Sequence, residues 1–324
     1  KKLFQFSDKK KKHKNVKSII IKNTKIQKFL NLIKLSNEII NYSNSKKNLI
    51  IIFEGASWIG YSFFVFMLLK NKLKKAKFIY HSHNVEYLLR KKNNNILIQI
   101  LTKYFEKYIA NNFDIFTCVS KKDKKILKKL YNTNAKIFSN GVDEIKEIQK
   151  IKPKKFKFKY VFFCGSVEYY PNYEALSILV NEIMPNVYKK NSKIRLIVSG
   201  NKNLPFKKKY LINSGFLEKR QFYSYLKGAS IFVNPMKTAF GSQLKIINAL
   251  IFGKTIIASK KAVEGIELNR NFKNISIIND NKIFSNLILK KINSKKFNKK
   301  ISDYYYSNYS MKNIINKFFN KNLS

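Results

Sequence analysis

The sequence predicts an α/β chain built as two domains in tandem, each a parallel sheet covered by helices. Three observations carry that expectation. At 324 residues the chain exceeds the usual single-domain size. Short β-branched or aromatic runs alternate along it with longer runs of helical period. A polar, lysine-rich segment without a strong period, residues 144–157, interrupts the alternation near the middle and reads as a linker. With 45% hydrophobic residues, 5 prolines and 10 glycines, the chain can bury real cores, which excludes a disordered protein.

In the first half, strands are expected at "SIIIK", "NLIIIF", "AKFIYHS", "DIFTCVS" and "AKIFSNG". Helices fall between them, among them "NILIQILTKYFEKYIANN" and "KKDKKILKKLY". Ser120 followed by Asp123 gives the second of these an N-cap arrangement, with the acid near the positive end of the helix. After the linker the series resumes. It runs "KYVFFCG", a helix after Pro171, "IRLIVSG", a short "SGFL" and a helix over 219–228. Then come "SIFVNPM", the helix within "FGSQLKIINALIFGK", "TIIAS" and "ISIIND". From about residue 283 onward the chain reads as helical and very basic.

The formal charge of +48 points first to nucleic acid or an anionic membrane. Yet only Arg90, Arg195, Arg220 and Arg270 of the 66 basic residues are arginine, the side chain a nucleic-acid reader favours for its planar fork. Lysines spread among Asn and Ile read as AT-rich coding expressed on solvated faces, with an anionic membrane surface as the other reading. Cys118 and Cys164 sit inside strand-like runs, show no zinc-ligand spacing, and read as reduced core residues of a cytoplasmic protein. The stretch 49–69 is apolar enough to span a bilayer apart from Glu54. Its glycines and that acid suit a buried β-loop-α unit better.

In open parallel sheets, ligands bind beyond the carboxyl ends of the strands. The residues there are Gly165 and Ser166, Gly200 and Asn201, Gly215 and Phe216, Asn234 and Pro235, and the loop from Gly241 to Lys245. Glycines let a backbone approach an anion, and a following helix N-terminus offers free N–H groups, so a phosphate-bearing ligand is expected. A P-loop, a nucleophile elbow and the three-glycine dinucleotide fingerprint are all missing, which argues against a dehydrogenase.

The ordered series "FFCGSVEYYPNYEALSILVNEIMP", "IRLIVSGN", "INSGFLEKRQFYSYLKGASIFVNPM" and "FGSQLKIINALIFGKTIIASKKAVEGI" resembles the donor domain of GT-B glycosyltransferases of family 4. "HNVE" at 83–86, "YFEKYIANNFDIFTCVSKKD" and "NGVD" at 140–143 fall in the order of that family's amino-terminal domain. The resemblance spans residues 80–270. It implies two Rossmann-like domains facing across a cleft: an acceptor-side domain over 1–145, a nucleotide-sugar-binding domain over 146–296, and a basic helical tail over 297–324. It also implies a retaining transfer without metal or cofactor, the nucleotide sugar being a substrate, with backbone amides and basic side chains stabilising the departing diphosphate.

On that model Gly165 and Ser166 approach the diphosphate, with Glu168, Asn172 and Gly200 nearby. Gly215, Phe216 and Leu217 line the base, while Gly241, Ser242, Leu244 and Lys245 close on the phosphates and sugar. His83 faces the sugar, and its plainer reading is an imidazole capping a strand end. His81 lies on the same side two residues earlier, whereas His13 reads as surface. Glu86 and Glu264 also fall in family-like segments, where each could equally be an ordinary helix-start or loop acid.

Many members of the family carry two glutamates eight positions apart, which here are Phe240 and Asn248. Losing the first fits a branch whose loop reads roughly as "GSQLK" does. At the second, an asparagine can still bond a ribose hydroxyl but forgoes the charge-assisted bond, which is roughly twice as strong as a neutral one. The family's early glycine-rich loop is not found, since no glycine precedes Gly55, so the first domain is expected to be cut short or to lack that element.

These observations add up to a cytoplasmic glycosyltransferase, peripheral at the inner membrane face, moving sugar from a nucleotide-diphosphate donor to a glycan or lipid-linked acceptor of a surface polysaccharide. Three other readings stay open: an inactive GT-B scaffold, a nucleic-acid-binding protein, and a nucleotide-sugar epimerase, which would need more acids than these segments hold. No specific nucleic-acid partner is expected.

Overall fold

The computed structural model describes residues 3–7, 16–20, 25–43, 49–55, 58–91, 95–142, 150–239, 243–294 and 297–322. Contacts divide the chain into two units, Lys1–Phe138 and Ser139–Ser324.

In the first unit, β1 (Leu3–Ser7) and β2 (Val16–Ile20) form a parallel pair, followed by α1 (Lys25–Ser43). The main sheet is four-stranded and parallel, in the order β3 (Ile50–Gly55), β4 (Lys77–Ser82), β5 (Ile115–Cys118), β6 (Lys136–Ile137). The strand expected at "SIIIK" therefore pairs outside this sheet among the described residues. Between the strands run α2 (Ile59–Lys70), α3 (Glu86–Lys91), α4 (Ile96–Asn112) and α5 (Lys121–Tyr131). The apolar stretch 49–69 thus divides into β3 and α2, and no described helix is long and apolar enough to cross a membrane.

Local chemistry fixes these ends. Asn95 Oδ1 accepts from Ile98 N and starts α4, and Ser120 Oγ accepts from Asp123 N and starts α5. Asn132, left-handed at φ 56°, ends α5. Glu106 on α4 is fully buried and accepts from the backbone N–H of Glu86 and Tyr87 and from the Tyr131 hydroxyl, so one carboxyl group joins α3, α4 and α5. Burial pushes its pKa up to about 7.

The second unit holds a six-stranded parallel sheet in the order β12-β11-β10-β7-β8-β9. Its strands are β7 (Lys159–Cys164), β8 (Ile194–Ser199), β9 (Leu211–Asn213), β10 (Ile231–Asn234), β11 (Thr255–Ala258) and β12 (Ile275–Ile277). After β7, α6 (Tyr170–Ile178) passes through a π-helical turn, Leu179–Ile183, into α7 (Met184–Lys190). Pro185 sits in the first turn of α7, where its missing N–H is tolerated, and the widened turn before it accommodates the ring in one long helix. α8 (Lys219–Gly228) follows β9 and opens with a capping box between Glu218 and Gln221. α9 (Leu244–Ile251) follows β10. The short strand expected at "SGFL" instead lies three residues earlier as β9, and Ser214–Leu217 form the turn beyond it, where Gly215 takes φ +73°.

α10 (Asn281–Lys291), α11 (Lys299–Tyr309) and α12 (Met311–Asn322) complete the unit. α11 is tied to the sheet's own loops. Ser302 Oγ donates to the Ile251 carbonyl, while the Tyr305 and Tyr309 hydroxyls accept from the backbone N–H of Asn269 and Glu267. Val142 forms a bridge with Ser310, which is why residues before the expected linker already belong to this unit. Of that linker, residues 143–149 lie outside the described residues.

Candidate active site

Numbered from β7, the second sheet has the strand order 3-2-1-4-5-6 read from β9, and its winding reverses between β7 and β10. The carboxyl ends of those two strands are where a doubly wound sheet opens a crevice. β7 ends at Cys164, and Gly165 turns the chain with φ +152°. A Cβ at Gly165 would lie 2.6 Å from Asn172 Cγ, so only glycine lets α6 bring Asn172 against the loop.

Asn172, buried, donates from Nδ2 to the Ser166 carbonyl at 3.0 Å and accepts at Oδ1 from Lys245 Nζ at 2.6 Å. The Lys245 ammonium also donates to the Cys164 carbonyl at 3.1 Å and lies 5.0 Å from the centroid of the Phe163 ring. Lys245 comes from the first turn of α9, so this contact joins the elements following β10 and β7. Burial lowers its pKa from the ordinary lysine value, and two acceptors and an aromatic face hold the cation in place.

The loops after the next two strands are bonded into the same cluster. Gly165 N donates to the Ser199 carbonyl, Gly200 N donates to the Gly215 carbonyl, and Asn201 both donates to the Gly165 carbonyl and accepts from Val167 N. Gly165, Ser166, Asn172, Gly200, Gly215 and Lys245 are thus brought together. Phe216, 72% exposed, and Leu217 follow Gly215. Glu168 is exposed and its N–H donates to Ser166 Oγ. Leu244 is exposed at the start of α9. Phe240, Gly241 and Ser242 lie outside the described residues.

Two asparagines here have unmet hydrogen-bonding capacity. Asn248 donates from Nδ2 to the Leu244 carbonyl one turn back, and its Oδ1 is buried with no hydrogen-bond partner among the described residues. Asn234, fully buried at the end of β10, has partners for neither amide atom among them. A buried polar group left so costs about 1–3 kcal/mol, and clusters of them mark places built for something else to bind.

The first unit gathers a second polar group at its sheet's carboxyl edge. Glu54, His81 and Thr117 are register partners on β3, β4 and β5, so their side chains form a row on one face. His83, two residues beyond His81, returns to that side. Its Nε2 lies 3.0 Å from Glu54 Oε2, and the two imidazole centroids are 4.6 Å apart. The His83 hydrogen bond holds the Glu54 carboxyl below its usual pKa, and burial pushes His81 down to about 4. His83 thus bonds Glu54 and stands against His81 at the carboxyl end of the sheet. Sequence reasoning missed Glu54's part in this, although it sits where such residues are sought, at a strand's carboxyl end. Glu86, buried at the start of α3, pairs with Arg90, and Glu264 pairs with Lys261. His13 lies outside the described residues.

Two family models match the chain: "Glycosyltransferase Family 4" over residues 48–145 and "Glycosyl transferases group 1" over residues 158–293. The chain belongs to the group 1, family 4 glycosyltransferases. No curated protein sequence matches this glycosyltransferase. Among solved structures it is similar to a UDP-forming trehalose-phosphate synthase from Burkholderia xenovorans, with TM-score 0.67 at 9% identity, over 92% of this chain and 78% of that one. It is similar also to a glycosyltransferase from Rickettsia africae, with TM-score 0.63 at 16% identity, over 94% and 84% of the two chains. A third is described as a "putative UDP-N-acetylglucosamine 2-epimerase from Listeria monocytogenes", with TM-score 0.53 at 12% identity, over 94% and 81%. At these identities the likeness shows the fold. This glycosyltransferase has the GT-B type of α/β architecture, with two main parallel sheets, one in each unit. Its switch-point cluster lies wholly within the group 1 match, and its histidine cluster within the family 4 match.

Proposed function

We propose that this chain is a retaining glycosyltransferase that takes a nucleoside-diphosphate sugar as donor and a glycan or lipid-linked acceptor of a surface polysaccharide. The observation that carries the reading is the fixed cation at the switch point: Lys245 anchored by Asn172 and the Cys164 carbonyl. An ammonium has three N–H donors, and these contacts use two. The third serves a phosphate oxygen, and the turn at Gly165 and Ser166 brings backbone to the same anion. In transfer, the bond between the anomeric carbon and the diphosphate oxygen breaks and its electron pair leaves with the phosphate. The acceptor oxygen bonds that carbon on the same face, and its proton passes to the departing oxygen. Stabilising charge on the leaving group is then the protein's main contribution, and Lys245 supplies it without a metal. Asn248 Oδ1, without a hydrogen-bond partner among the described residues, accepts from a ribose hydroxyl, and Phe216 flanks the base. His83 of the first unit is assigned to the sugar.

An anionic membrane surface as docking place is supported by α4, where Ile96, Leu97, Ile100 and Tyr104 are 58–69% exposed on a chain of charge +48. Apolar side chains entering an interface beside surface lysines are the features of a peripheral contact.

A thermal-shift titration with UDP, GDP and their common sugar conjugates, beside Lys245→Ala, tests the donor site. One nucleotide stabilises the parent chain and loses its effect in the variant. A flat response to every nucleotide in a cooperatively melting chain would move the assignment to an inactive scaffold, the reading that Asn248, in place of a carboxylate, favours.

A further inference from the structure

We propose that Glu54, His81 and His83 form a binding site for one divalent transition-metal ion, with Zn2+ as the best-suited occupant. One ligating atom from each residue lies within 4.8 Å of the others. Two imidazole nitrogens and a carboxylate oxygen are a donor set that zinc takes as three protein ligands, leaving a fourth position for water. Around zinc, with bonds of about 2.0–2.1 Å, donors stand roughly 3.4 Å apart, so closing the site needs side-chain shifts of about an ångström.

The surroundings favour a ligand. Thr117 Oγ1 donates to the Tyr80 carbonyl, and His81 Nδ1 lies 2.8 Å from the same hydroxyl. With its proton spent on Tyr80, the hydroxyl can only accept from His81. That leaves the proton on Nδ1 and the lone pair on Nε2, the outer-shell arrangement that orients zinc-bound histidines. Glu54, His81 and Thr117 are placed by strand register, so their spacing is held by the sheet, and His83 joins them from the bend just after β4. The chain has 3 histidines and 18 acids in all. Two of those histidines meet one of those acids at a strand edge in a protein otherwise crowded with lysine.

Occupancy would replace the His83–Glu54 hydrogen bond with two bonds to metal. His83 would then be held away from any sugar, so the ion would act as an inhibitor of transfer. That consequence rests on the function proposed above, whereas the binding site does not.

The test is titration of the chelator-treated chain with Co2+ and Zn2+ at 0.15 M salt, where screening within about 8 Å removes most of the lysine repulsion. Expected are one equivalent of Co2+ with an intense tetrahedral visible spectrum, its displacement by Zn2+, and an upward shift in melting temperature. His83→Ala and Glu54→Gln, both at partly exposed positions, should each weaken binding about tenfold or more, as should Thr117→Val through His81. His13→Ala should leave binding unchanged. Absence of a stoichiometric site in the parent, or equal binding in folded His83→Ala and Glu54→Gln, overturns the proposal. Binding at this site with transfer unaffected by Zn2+ would leave the metal site standing and overturn the assignment of His83 to the sugar.

Discussion

Lys245 Nζ and Asn172 Oδ1, 73 residues apart in sequence, meet at 2.6 Å between the ends of β7 and β10. Burying the ammonium is unfavourable by itself, and the hydrogen bonds to Asn172 Oδ1 and the Cys164 carbonyl offset that cost. Lys245→Met leaves the buried Asn172 Oδ1 without its donor, so it should lower the stability of the free chain by about 1–3 kcal/mol while weakening nucleoside-diphosphate binding about 10- to 100-fold, the range of one charged hydrogen bond. Thermal melts read the stability and calorimetric titration the affinity, and an undiminished affinity would remove Lys245 from the phosphate site.

Asn248 offers a gain-of-function test. Its Oδ1 has no partner among the described residues, so Asn248→Glu supplies a charged acceptor at the same place. Binding of the ribonucleotide should tighten about fivefold, the difference between a neutral and a charge-assisted bond, and the 2′,3′-dideoxy analogue should show no such gain.

Glu106 sets a pH dependence. An acid whose pKa is about 7 in the folded chain and near 4.5 unfolded binds more protons when folded. Its contribution to stability is complete below about pH 4.5 and declines as pH rises through 7. Relative to Glu106→Gln, the parent should lose stability between pH 5 and 8. Denaturant midpoints across that range give the answer, and parallel curves for the two proteins would refute the assignment.

At Gly253 the backbone takes φ +56°, and a Cβ would stand 2.3 Å from the Asn298 carbonyl oxygen. Gly253→Ala should cost about 2 kcal/mol or more, combining backbone strain with a clash against main chain. The loss appears as a lower melting temperature with nucleotide affinity preserved at temperatures where the variant is folded.

For the membrane contact, Ile100→Asp on α4 should abolish flotation with anionic vesicles without changing nucleotide binding, because the side chain is 59% exposed. Flotation unchanged by the substitution would leave the lysines alone as the cause.

Much of this architecture could be read from residue order. α5 and α8 begin and end where "KKDKKILKKLY" and residues 219–228 placed them, because caps at Ser120 and Glu218 are local signals. β9 was displaced because "SGFL" owes its apolar character to a turn that presents Phe216 outward, whereas pairing with β8 selected Leu211–Asn213. The glycines at strand ends were legible, since only backbone geometry was needed to suspect them. What joins them was not: Asn172 to Lys245 and Glu54 to His83 depend on strand order and register, which a sequence does not state. Glu54 was obscured by the apolar run around it, although strand-end logic applied to "LIIIFEG" would have singled it out.

The bonds from Ser302, Tyr305 and Tyr309 back to Ile251, Asn269 and Glu267 set a timetable for biosynthesis. α9 carries Lys245, and α11 covers its far end, so the packing that holds α9 and the Glu267 loop is complete only after Tyr309 has left the ribosome. The first unit has by then been available to fold for on the order of ten seconds at ordinary elongation rates. The nascent chain would thus hold a finished histidine cluster while the second sheet still lacked its last covering helices.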